Sequence, residues 1–386
     1  MFGIFNDNFP PVIDGVAMTA QNYARWLHKK GKKVCVITPY APNAQHVIEK
    51  EPYSIYRYPS VPIPLRQPYR FGLPWLSVPL AYKLNNMPFH LLHAHCPFTS
   101  GKLALYIARK KHIPLVATFH SKYRQDFERA IFSHHLVDAV IRDIVSFYQQ
   151  AYEVWIPQIA VEPVLREYGY KGKIEVVENG SDMALPIEEI ALRKKSLRNT
   201  YGVEKHEMVF LFVGQHIWEK NIGFMLDALA LIRNRPFRLY MIGTGYAEEK
   251  IKEKISLLGL YNKVIMLGPV LEREKLQDYY ILADLFLFPS LYDNAPLVVR
   301  EAAAMNTPSV LIKDSTAAEI IQDGYNGILS ENDVHAYADT LNFWMNNKNK
   351  LEQMGKHAAH SIVRSWEDVV DEVIERYEDV IRRYNK

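Results

Sequence analysis

The sequence predicts an α/β protein built from two doubly wound parallel sheets, one after the other along the chain. Three observations carry that prediction. Apolar runs short enough to be buried strands alternate with amphipathic helical patterns, and the alternation occurs in two series. A turn-forming cluster, Glu178-Asn179-Gly180-Ser181-Asp182, separates the series. The length, 386 residues, is too great for one ordinary core and suits two.

In the first series, strands are expected near 2–5, 33–38, 90–94, 114–119, 152–156 and 173–177. In the second they are expected near 208–213, 237–242, 263–267, 284–288 and 308–312. Helical spacing fills most gaps, as with Trp26 and Leu27 inside 16–30, or Met225, Leu226, Ala228 and Leu229 inside 221–233. Two Rossmann-like domains follow, 1–182 and 183–365, facing each other across a cleft. Segment 56–75 holds five prolines, which predicts no regular structure there. From Trp366 to Tyr384, apolar residues at Val369, Val370, Val373, Ile374, Tyr377 and Ile381 keep helical spacing.

Composition narrows the class. With 48% hydrophobic and 23% charged residues the chain is globular rather than disordered. No apolar run approaches the roughly eighteen residues that span a bilayer. Two cysteines, Cys35 and Cys96, make no disulfide framework. Met1 leads directly into an apolar strand without a basic flank, so a cytosolic protein is expected. The net charge of +3 conceals an asymmetry: residues 1–182 carry 21 Lys/Arg against 14 Asp/Glu. A basic first half suits an anionic membrane leaflet, or is simply an uneven solvated surface. No nucleic-acid motif accompanies it.

The most informative ten residues are Tyr292-Asp293-Asn294-Ala295-Pro296-Leu297-Val298-Val299-Arg300-Glu301. They follow the apolar run ending Phe288-Pro289-Ser290 and open an Ala-rich helical pattern. Strand-to-helix turns are where open α/β sheets bind ligands. The first amides of such a helix, from Ala295 to Val298, lack internal partners and favour an anion. Asp293 before the turn and Glu301 one turn deeper can each accept hydrogen bonds from hydroxyls. Phosphate flanked by two polyols describes a nucleotide sugar. A helix cap and a solvated glutamate are the plainer reading of the same pair.

An acid, seven residues, then Glu on a loop entering a helix resembles the donor motif of family 4 glycosyltransferases, retaining enzymes of the GT-B fold. Their usual first residue is Glu, and Asp293 keeps the carboxylate with one methylene less reach. Val213-Gly214-Gln215-His216-Ile217-Trp218-Glu219-Lys220-Asn221 is similar to the family's Gly-Arg-x-x-x-Glu-Lys-Asn signature, with Gln215 replacing the arginine and removing one cation. The resemblance implies that Lys220 steadies a departing diphosphate, Asp293 holds the hexose and Glu301 the ribose. It also implies that Gly15, Gln215, Gly243, Asn294, Ala295, Leu297 and Val298 line the donor. Gly243-Thr244-Gly245 lacks the third glycine of a dinucleotide loop, so a dehydrogenase is rejected.

His93-Ala94-His95-Cys96 and Thr118-Phe119-His120-Ser121 each end an apolar strand. His93 and His95 share a face, but no second ligand pair completes a metal site. His120 resembles the family's histidine at the reacting edge. No Asp-x-Asp pair is present, and neither metal nor cofactor is expected. The resemblance implies a helix over 366–386 that crosses back to the first domain.

Arg66 and Arg70, among the aromatics of 56–75, and Lys122 and Arg124 after His120 resemble the acceptor face of diacylglycerol glucosyltransferases, which dock on anionic membranes. A surface loop and a solvated helix start are the alternative. The expectation is therefore transfer of a hexose, with retention, from a nucleoside diphosphate to an acceptor hydroxyl. UDP-glucose is the first donor to test, and a membrane lipid such as diacylglycerol the first acceptor. A soluble or polysaccharide acceptor, or a non-catalytic sugar-binding protein, stands as the alternative.

Overall fold

A computed structural model describes residues 1–12, 14–42, 44, 50–63, 69–131 and 133–386. The chain separates into two compact units. One comprises Met1–Asn179 with Trp366–Lys386, the other Gly180–Ser365.

The strands of the first unit are β1 (Phe2–Phe5), β2 (Val34–Pro39), β3 (Ser54–Tyr58), β4 (Ser60–Pro62), β5 (Arg70–Gly72), β6 (Leu91–Ala94), β7 (Leu115–Thr118), β8 (Glu153–Ile156) and β9 (Ile174–Val176). Seven form one parallel sheet in the order β3-β2-β1-β6-β7-β8-β9. Its central members are buried along their whole length, as strands covered by helices on both faces must be. The edge strand β3 mixes exposed, half-buried and buried positions instead.

Segment 56–75 corrects the expectation of no regular structure. β3 runs into it as far as Tyr58, and β4 pairs antiparallel with β5 through Val61 and Phe71. Proline is tolerated because β4 and β5 make a two-stranded sheet in which every strand is an edge. A 3₁₀ turn, Pro74–Leu76, and a helix, Val78–Asn86, follow; both carry proline in the first turn, where a missing amide costs nothing.

The last helix, Trp366–Tyr384, packs in the first unit against the first helix, Gly15–Lys29. It buries Trp366, Val369, Val370, Val373, Tyr377 and Val380, while Ile374 and Ile381 are half-buried. Lys30 joins it to the first helix through Glu367 and Asp371, both at 2.8 Å. These exposed pairs add little, and the apolar stripe does most of the holding.

The second unit holds β10 (Met208–Val213), β11 (Phe237–Ile242), β12 (Val264–Gly268), β13 (Leu285–Phe288), β14 (Ser309–Ile312) and β15 (Ile328–Ser330). All are parallel, in the order β12-β11-β10-β13-β14-β15. Chain direction around the sheet reverses between β10 and β13, so the loops leaving their carboxyl ends are neighbours. Asp284, just before β13, is buried among Lys194, Arg198 and Lys348. Burial alone would raise its carboxyl, but the three cations outweigh it and hold the group below its ordinary range. Ser181 donates its amide to the Arg364 carbonyl at 2.8 Å, so this unit begins and ends at one place. Among the described residues, no helix is long and apolar enough to cross a membrane.

Candidate active site

The two loops at the β10/β13 reversal bring Lys220 and Asp293 together. Lys220 closes a 3₁₀ turn, Trp218–Lys220, and Asn221 then takes a left-handed conformation (φ 58°) that opens the helix Ile222–Leu231. Asparagine tolerates that backbone better than most residues, and its side-chain amide donates to the Pro289 carbonyl at 3.3 Å. Lys220 Nζ donates to Asp293 Oδ1 at 2.5 Å, and Ser290 Oγ donates to Asp293 Oδ2 at 2.5 Å. The pair is only 12% and 18% exposed. Phe288 and Tyr292 lie 5.6 and 5.8 Å from the ammonium, adding attraction from their faces. Glu219 accepts the Tyr246 hydroxyl at 2.5 Å, tying the same turn to the loop after β11.

The helix after Asp293 runs Leu297–Ala304, with Pro296 at its N-cap and no side-chain cap. It begins two residues later than Ala295, because Pro296 is extended rather than helical. Asn294 is buried and Ala295, Leu297 and Val298 are half-buried around this turn. Glu301 lies within the helix and accepts from Arg273 Nη1 and from the Tyr280 hydroxyl, both at 3.1 Å. Arg273 also pairs with Asp182. Burial would lower the guanidinium, but Glu301 and Asp182 leave it raised. Sequence reasoning missed Arg273 and Tyr280. They lie 28 and 21 positions from Glu301, at no spacing that a local motif could register.

Glycine is compulsory at Gly243, where φ is 135° and a Cβ would fall 1.9 Å from the Gly214 carbonyl oxygen. A Cβ on Gly245 would meet the His216 carbonyl at 2.4 Å. The loops after β10 and β11 are thus packed backbone to backbone, joined by His216 N to the Thr244 carbonyl at 3.0 Å. His216 is fully buried. Gln215, in the arginine's place, is half-buried, and its carbonyl accepts from Ile217 N at 3.0 Å.

In the first unit, His120 stands just beyond β7, with Nε2 3.0 Å from His95 Nδ1. His93, His95 and His120 form a row of imidazoles: His93 on His95 at 4.2 Å between centroids, His95 on His120 at 5.3 Å. His93 Nδ1 lies 2.5 Å from the Tyr377 hydroxyl and Nε2 2.7 Å from Thr118 Oγ1. Burial drives all three below the usual histidine range, His120 to about 3. Cys96 donates to Asp7 at 2.7 Å. Among the described residues, no three His, Cys, Asp or Glu side chains converge as a metal site. Gly15 opens the first helix, capped by Asp14, and a Cβ there would meet nothing within 4 Å.

Of the basic residues proposed for an acceptor, Arg70, Lys122 and Arg124 are among the described residues. Arg66 lies outside the described residues. Arg70 is turned onto its own hairpin, donating to Ser60 Oγ at 2.8 Å. Arg124 pairs with Asp138 at 2.8 Å, and Lys122 is half-buried before the helix Tyr123–Ala130. What does stand out is apolar: Val61, Phe71, Trp75, Leu76, Val78 and Tyr82 are exposed along one stretch of the first unit.

Known proteins resemble this chain in sequence and in fold. The model of glycosyltransferase family 4 matches residues 13–185, and that of glycosyl transferases group 1 matches residues 193–361. An alpha-monoglucosyldiacylglycerol synthase of Acholeplasma laidlawii is 25% identical, covering 93% of this chain and 87% of that protein. Its namesake from Streptococcus pneumoniae is 27% identical, covering 85% and 74%. Anabaena HepE, solved in complex with UDP and glucose, shares the GT-B fold at a TM-score of 0.76 and 18% identity, covering 97% of this chain and 99% of that one. The chain belongs to the family 4 glycosyltransferases.

Proposed function

We propose that the second unit binds a nucleoside-diphosphate hexose, UDP-glucose before others, and that the hexose passes with retention and without a metal to a lipid hydroxyl. The observation that carries this reading is the clustering of Lys220, Asp293 and the start of the helix Leu297–Ala304 at the β10/β13 reversal. Departure of the diphosphate builds negative charge, and an ammonium plus outward amides are the groups that stabilise it. Asp293 keeps the ammonium in place and offers its carboxylate to hexose hydroxyls. Glu301, steadied by Arg273 and Tyr280, accepts the ribose diol. The bond from C1 to the phosphate oxygen breaks, C1 bonds the acceptor oxygen on the same face, and the hydroxyl proton leaves with the diphosphate. The reading requires neither metal nor cofactor.

A lipid acceptor is supported by the names of the two synthases and by the exposed apolar side chains from Val61 to Tyr82. Lys83, next to Tyr82 in the helix Val78–Asn86, suits anionic headgroups at the inner face of the cell membrane. The test is incubation with labelled nucleotide sugars and diacylglycerol in anionic vesicles, followed by product mass and anomeric analysis. An α-hexosyl lipid formed in the presence of a chelator is expected. Transfer only to soluble glycans would replace the lipid reading.

A further inference from the structure

The row of imidazoles behind His120 bears on how that residue acts, and so rests on the transferase reading above. His95 is fully buried. It is held between His93 and His120, with Tyr23 edge-on at 5.0 Å. Its Nδ1 faces His120 Nε2 at 3.0 Å, while its Nε2 is buried with no hydrogen-bond partner among the described residues. Two neutral imidazoles at that distance share one proton, so one ring donates and the other accepts. If His95 carried its proton on Nε2, a buried N–H would be left without an acceptor, which folded proteins rarely tolerate. With the proton on Nδ1, His95 donates to His120, and only a lone pair is left bare.

We propose that His95 is a positioning residue: its Nδ1–H donates to His120 Nε2 and fixes the proton of His120 on Nδ1. His120 then cannot serve as the base through Nε2, because that lone pair is occupied. Any hydrogen bond it makes to a sugar or acceptor oxygen is one in which Nδ1–H donates. The acceptor hydroxyl proton goes elsewhere, in keeping with transfer to the departing diphosphate. Burial keeps the imidazoles neutral, as sharing a single proton requires. His93 supports the arrangement from behind. Its own two nitrogens are engaged by Tyr377 and Thr118, so the ring against which His95 stacks is pinned.

The full-length protein labelled with ring-¹⁵N histidine tests this without substrate. Long-range ¹H–¹⁵N spectra, assigned by single substitutions, should show His95 and His120 both protonated at Nδ1. A spectrum with the His120 proton on Nε2 overturns the proposal. Kinetics give a second arm, because an asparagine amide lies near the place of Nδ1 and a glutamine amide near that of Nε2. His95→Leu should lower kcat on the order of a hundredfold with donor KM little changed, and His95→Asn should recover most of it. At position 120, Asn should retain more activity than Gln. Equal loss in His95→Asn and His95→Leu, with both folded by thermal melting, also overturns it. If no hexose transfer is found at all, the transferase reading fails while the spectra still decide the tautomers.

Discussion

Lys220 Nζ lies 2.5 Å from Asp293 Oδ1, although the two residues are 73 positions apart. Their meeting follows from strand order: β10 and β13 are adjacent, and each side chain sits in the loop leaving one of them. The pair fixes a cation whose charge the carboxylate balances, and in the proposed reading that cation meets the diphosphate. Lys220→Met should lower kcat by about a hundredfold or more, the scale for losing one preorganised charge at a leaving group. Asp293→Asn should release the ammonium and cost about 1–3 kcal/mol of stability, since the pair is mostly shielded from water. Transfer kinetics and urea unfolding check both, and unchanged kcat in Lys220→Met would remove the lysine from the reaction.

Glu301 is held by two donors that no motif foretold. Glu301→Gln should weaken nucleotide binding by about tenfold, the scale of one charge-assisted hydrogen bond, with kcat little affected. Arg273→Ala should shift affinity in the same direction, because the carboxylate loses its guide. Calorimetric titration with UDP reads both, and wild-type affinity in Glu301→Gln would mean the ribose lies elsewhere.

Acidification should destabilise the protein through the buried imidazoles. Burial holds His93 and His95 well below the ordinary value of 6.5, and His120 at about 3. Each is neutral when folded, whereas the unfolded chain takes up protons as pH falls past 6.5. The folded state binds fewer protons, so stability is complete above that value and declines from there toward pH 3. The slope cannot exceed about 1.4 kcal/mol per pH unit for each group. Unfolding midpoints between about pH 7.5 and 5 should fall in the wild type and less steeply in His120→Asn. A flat wild-type profile would contradict the neutral imidazoles.

Membrane attachment, if it uses the apolar stretch of the first unit, should depend on Trp75 and Phe71, both exposed. Replacing both with serine should reduce partitioning into anionic vesicles by about tenfold or more, since each large side chain gains roughly 1.5–3 kcal/mol on burial. Vesicle sedimentation measures it. Equal partitioning of variant and wild type would assign attachment to another surface.

Legibility of the fold in the sequence followed burial in part, since the half-buried edge strands β9 and β12 were expected as well. Central strands such as β1, β10 and β13 are covered on both faces and read as unbroken apolar runs. β3 and β15 sit at sheet edges, are short or partly exposed, and left no such trace. The prolines of 56–75 concealed β4 and β5, because a rule that holds for broad sheets relaxes in a two-stranded one. At the β10/β13 reversal, motif spacing singled out Lys220, Asp293 and Glu301. Their partnerships were not legible: the Lys220–Asp293 pair, and the hold of Arg273 and Tyr280 on Glu301, depend on strand order and helix packing. The link from His120 to His95 and the pinning of His93 by Tyr377 escaped for the same reason.

The most direct test of the donor assignment is a crystal structure of the protein with bound UDP-glucose. The diphosphate should lie within hydrogen-bond distance of Lys220 Nζ and the amides of Leu297 and Val298, with the ribose hydroxyls on Glu301. Density for the nucleotide away from the β10 and β13 loops would contradict the account.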